Sequence, residues 1–210
     1  MLTGAWSVLA DGHPVAAAEI AAVVSTIVPR SRPPAGAVSS SSAEAFGAVT
    51  MSLPPDPVTC AELLVHEVRH LVLGAVLDLA DLTRSDDGSR YYAPWRDDPR
   101  PVSGLLQGTY AFFGVAGFWR EQRLRESSGR GQVEFARWRS GVARAVRTLQ
   151  ASGRLTDTGM EFAAEMGRIL DGWQREAVPT AAAEQAFHEA RTHLERWESA
   201  HGPSDDAVYR

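Results

Sequence analysis

The sequence predicts a mainly α-helical fold with a small β element, an α+β chain ending in a helical bundle, and three observations carry that expectation. Several long stretches repeat apolar residues at helical spacing, a single short stretch alternates as a strand does, and the prolines gather in the segments between them. At 210 residues and 44% hydrophobic content, the chain can bury a substantial core. The expected organisation is one domain over residues 1–210, with residues 131–200 as its helical extension.

Taken in order, residues 15–28 are rich in Ala and Val, with Glu19 as the only charge, and predict a buried helix stopped by Pro29. Residues 30–42 contain two successive prolines and four successive serines, the composition of a loop. Residues 46–53 alternate and are closed by Pro54 and Pro55, which predicts a strand. Thr59 followed by Glu62 has the spacing of a capping box, so a helix is expected from about Cys60 to Leu82. Gly74 within it would let a neighbour pack closely. A polar turn at residues 83–90 leads into Tyr91-Tyr92-Ala93-Pro94-Trp95-Arg96-Asp97-Asp98-Pro99-Arg100-Pro101. Three prolines among aromatics and charges exclude a regular helix there and predict an ordered loop. An apolar helix is expected over residues 103–125, then amphipathic helices over 133–150, 157–175 and 181–200.

Charge and cysteine content exclude several roles. A net charge of −5 without a basic run argues against nucleic acid as a partner. No apolar stretch reaches bilayer length, so no membrane association is expected. The single cysteine, Cys60, cannot form an internal disulfide and reads as a small buried side chain. With no signal-like N-terminus, a cytoplasmic location is expected.

The chemistry is concentrated in Leu63-Leu64-Val65-His66-Glu67-Val68-Arg69-His70-Leu71, an HExxH pattern inside an apolar, helix-compatible run. Residues four apart on a helix lie about 40° apart around its axis, so His66 and His70 can converge on one ion, with Glu67 beside it. In zinc peptidases such a pair joins a third ligand, and the glutamate takes a proton from metal-bound water. Two imidazoles on one face equally suit Fe(II), whose oxygenase sites keep positions open for an oxidant and a cosubstrate.

The strand FGAVTMSLP, the helix LLVHEVRHLVLGAVLDL, the loop YYAPWRDDPRP and the helix GLLQGTYAFFGVAGFW follow one another in an order that resembles the bacterial HEXXH-motif peptide-modification family. The resemblance covers residues 40–125 and is strongest to the α-ketoglutarate-dependent HExxH-type non-haem iron peptide β-hydroxylases. It implies a zincin-like arrangement in which the motif helix packs on a second helix. It also implies Fe(II) as the metal, with α-ketoglutarate as cosubstrate, and a ribosomally synthesised precursor peptide as partner, in some members alongside a radical-SAM maturase. The implied reaction places an oxygen atom on a β-carbon of that peptide. The chain departs from the family in Val68 and Arg69, and in having Gln107, Tyr110 and Phe112 in the helix where some relatives carry a histidine.

Within that frame Gln107 is the expected third metal ligand, through its amide oxygen, with Tyr110 in reserve. His188 and His193 lie on a charged amphipathic helix and are expected to face solvent. Two imidazoles and an amide leave the ion's charge uncompensated, which favours a dianionic chelator. Arg96 or Arg100 would anchor its distal carboxylate, unless both pair with Asp97 and Asp98. Glu67 would orient a ligand or water. The peptide is expected to lie along residues 46–53 as an added edge strand. Tyr92 and Trp95 would contact it, or pin the loop as core aromatics. Two other classes stay open: a zinc peptidase with Glu67 as base, and a precursor-peptide-binding protein with an inactive metal site.

Overall fold

The structure, a computed structural model, describes residues 1–33 and 36–204, which fall into two compact units, Met1–Leu79 and Ala80–Arg210. It is mainly helical with one small three-stranded sheet.

The first unit opens with α1 (Leu2–Gly12), whose Ala5 and Leu9 are fully buried, and α2 (Pro14–Val23). Pro14 begins α2, where a missing N–H is no loss. The helix expected to reach Val28 stops at Val23, because the β-branched residues that follow enter β1 (Thr26–Arg30). Pro29 lies inside this strand, which a proline tolerates at a sheet edge. The serine tract is also a strand rather than a loop: β2 (Ser39–Ser41) pairs antiparallel with β3 (Ala48–Ser52). β1 pairs with the other side of β3 in parallel, from Thr26 opposite Ala48 to Arg30 opposite Ser52. The order β1-β3-β2 corrects a third expectation, that residues 46–53 offer a free edge to a peptide. The 46–53 strand is central, and both of its edges are already occupied. Gly47 makes the turn into β3 at φ 85°, where a Cβ would meet Ser25 Oγ at 2.9 Å and Val23 O at 3.0 Å.

The motif helix α3 spans Pro57–Leu77 and packs on α1, α2 and β2. Its cap is Asp56, not Thr59: Thr59 donates its N–H to Asp56 Oδ1 at 2.9 Å and its hydroxyl to Oδ2 at 2.7 Å. Pro57 at the first turn sets the start three residues earlier than expected, and the helix ends at Leu77 rather than Leu82. Gly74 faces open space, with nothing within 4 Å of a built Cβ, so it is not a close-packing point.

In the second unit the proline loop closes on itself, Tyr91 and Arg100 exchanging N–H···O bonds of 2.8 and 2.9 Å. Four helices follow: α4 (Val102–Gln122), α5 (Arg130–Ala151), α6 (Asp157–Gln174) and α7 (Thr180–His201). α5 is central, touching α4, α6 and α7, and Trp119, Phe135, Val142, Leu149 and Leu170 fill the core. Trp95 lies across Gly108 of α4 so closely that a Cβ there would sit 2.6 Å from the indole nitrogen. No helix among the described residues is long and apolar enough to cross a membrane.

Candidate metal centre

Leu64, Val65, Val68 and Leu71 form the buried stripe of α3, and this stripe decides how the motif is presented. With that face committed to packing, His66 and His70 share the neighbouring, half-buried face. Their Nε2 atoms lie 3.1 Å apart, and their rings meet edge to face with centroids at 4.8 Å. Burial, with a smaller contribution from His70, pushes the pKa of His66 down to about 3. Burial also lowers that of His70, while the negative charge of Glu67 pulls it the other way. Both rings are thus neutral near neutral pH, the form in which an imidazole offers its lone pair to a metal.

The spacing suits a shared ion. With bonds of about 2.1 Å, two nitrogens 3.1 Å apart subtend about 95° at the metal, between octahedral and tetrahedral values. Among the described residues no cluster of three or more His, Cys, Asp or Glu side chains is placed to hold a metal, so the donor set of this kind is the histidine pair itself.

Glu67 is differently employed. Only 2% exposed, its carboxylate accepts from Ser39 Oγ at 2.7 Å and from Ser41 Oγ at 2.6 Å, one hydroxyl on each oxygen. Residues two apart on a strand project to one face, which is how β2 delivers both hydroxyls together. These serines are the site residues that sequence reading missed. The only available signal was their spacing, which has meaning only once the tract is known to be a strand. Beside them, Arg69 grips Glu19 through two contacts of 2.8 and 3.2 Å, tying α3 to α2.

The other expected site residues belong to the second unit. Gln107 is exposed on α4, and Tyr110 packs against Phe162 with ring centroids at 5.3 Å. Arg96 and Arg100 both bind Asp98, at 2.6 and 3.2 Å, and these contacts hold its carboxyl below the usual range. Asp97 turns instead to Arg196 at 2.9 Å. Trp95 stacks on Phe112 at 4.7 Å, and Tyr92, 5% exposed, bonds His193 Nδ1 at 2.7 Å. His193 is therefore not the solvent-facing residue its helix pattern predicts, because the proline loop covers it; His188 is exposed as expected. Cys60 is fully buried and its thiol pKa is raised by that burial, as suits a packing residue.

No protein-family model matches the chain, and no curated protein is significantly similar to it.

Proposed function

We propose that the His66–His70 pair binds a divalent metal and that the chain is an Fe(II)- and α-ketoglutarate-dependent hydroxylase of a ribosomally synthesised precursor peptide. The observation that carries the metal reading is the 3.1 Å approach of two neutral Nε2 atoms on one helix face. Preference for an oxygenase over a zinc peptidase rests on Glu67. A hydrolytic base needs a carboxylate open to water, whereas both oxygens of Glu67 accept serine hydroxyls in a buried setting.

In this reading His66 and His70 hold the ion, and the Glu67 carboxylate, bound on both oxygens by serine hydroxyls, orients a ligand or water rather than serving as a base. Bound Fe(II) with α-ketoglutarate supplies an O2-dependent insertion of one oxygen atom into a β-carbon–hydrogen bond of the peptide, releasing succinate and carbon dioxide. On the sequence alone, Arg96 or Arg100 is proposed to anchor the distal carboxylate of the cosubstrate, although in the structure both bind Asp98. Gln107 is proposed as a third ligand and Tyr92 and Trp95 as peptide contacts on the sequence alone. Because β3 is central, an extended peptide would add at β2, the edge strand that carries the Glu67 partners. A zincin-like arrangement and a radical-SAM maturase as companion belong to the same proposal.

The test is anaerobic loading with Fe(II), α-ketoglutarate and the peptide encoded beside the gene, followed by exposure to oxygen. Succinate release and a peptide mass increased by one oxygen are expected, both lost on omission of any component. Cleaved peptide, with zinc as the active metal, would instead establish the peptidase.

A further inference from the structure

Ser39 and Ser41 stand on β2 opposite Met51 and Val49 of β3, which are 5% and 0% exposed. Directly opposed residues of an antiparallel pair share a face, so the two hydroxyls lie beside apolar side chains under α3. Ser40, between them, is exposed and faces the other way. A hydroxyl in such a place needs a partner, and so does the Glu67 carboxylate. Each satisfies the other across 26 to 28 residues of sequence, through two short bonds that tie the middle turn of the motif to the sheet edge.

We propose that Ser39 and Ser41 are positioning residues of the metal centre: they hold the Glu67 carboxylate outside the coordination shell and set the motif helix against β2. This rests on the reading of His66 and His70 as metal ligands. Two features support it. Each carboxylate oxygen is taken by a serine hydroxyl, at 2.7 and 2.6 Å, and among the described residues the carboxylate forms no three-member donor cluster with the imidazoles. The serine side chains therefore act on the centre through Glu67 and not by touching the ion.

The test uses the full chain and Co(II) as the metal probe, reading affinity by titration and coordination by the visible absorption spectrum. The wild type is expected to bind one Co(II). The S39A/S41A variant should bind at least about tenfold more weakly, the scale on which partners of metal-binding groups act, and with an altered spectrum. S39T/S41T keeps both hydroxyls on residues that suit a strand, and should restore affinity and spectrum. In an E67A background, where residue 67 can bond neither serine, the two alanine substitutions should cost no more than about a further twofold, since their route to the metal is gone. Circular dichroism checks folding, and if the double variant fails to fold, S39A and S41A are read singly in the same way. Wild-type affinity and spectrum in the serine-to-alanine variants overturn the proposal, as does an undiminished effect in the E67A background. Absence of Co(II) binding by the wild type, or its persistence in H66A/H70A, overturns the metal reading itself.

Discussion

Nε2 of His66 faces Nε2 of His70 across 3.1 Å, a separation at which the two rings share either one proton or one cation. Replacing either ring by alanine leaves a single protein donor of this pair. Co(II) or Fe(II) affinity is expected to fall by more than about 100-fold, with an unchanged far-ultraviolet spectrum because both residues lie off the buried stripe. Equilibrium dialysis followed by metal analysis checks this, and retention of stoichiometric metal in H66A would refute it.

The same pair makes the apo protein sensitive to acid. His66 is lowered to about 3 and His70 is also lowered, so the unfolded chain takes up these protons before the folded one. Stability present above the unfolded pKa of about 6.5 is lost as pH falls from there toward the folded value. Thermal melts of apo protein between about pH 7.5 and about pH 4.5 should show a steeper decline for wild type than for His66→Asn/His70→Asn. Parallel curves would contradict the assignment.

Glu67→Ala removes the acceptor of two half-buried hydroxyls and opens a void between α3 and β2. A loss of about 2–4 kcal/mol in urea unfolding is expected. Hydrogen exchange should rise in residues 39–41 before the rest of the unit, and a variant as stable as wild type would show that the serine contacts carry no energy.

Gly108→Ala tests the seat of the proline loop. The new methyl would lie 2.6 Å from the Trp95 indole nitrogen, so the ring must leave its stack on Phe112. About 1–3 kcal/mol of destabilisation is expected. It should be accompanied by a shift in tryptophan fluorescence and by faster proteolysis within residues 91–101.

Tyr92→Phe removes the hydroxyl that meets His193 Nδ1 at 2.7 Å while leaving the ring on Trp197. The expected loss is about 1 kcal/mol, with the imidazole resonances of His193 displaced. Unchanged histidine shifts would show that the bond does not form in solution.

The order of residues along the chain determined the helices after α1, which it did not announce, and the histidine pair, because both are local properties: apolar spacing reports helical faces, and a four-residue interval brings two side chains together without help from the fold. It also placed the β3 strand and the ordered proline loop. Helix ends were less legible, since Asp56 and Pro57 rather than Thr59 begin α3 and β-branched residues end α2 early. Tertiary structure alone decided that the serines form a strand, that β3 is central, and that Glu67 is spent on Ser39 and Ser41. It likewise chose Asp98 as the partner of both loop arginines and hid His193 behind Tyr92. Strand pairing and buried polar contacts join residues far apart in sequence, and their energy exists only when packing has excluded water from both partners.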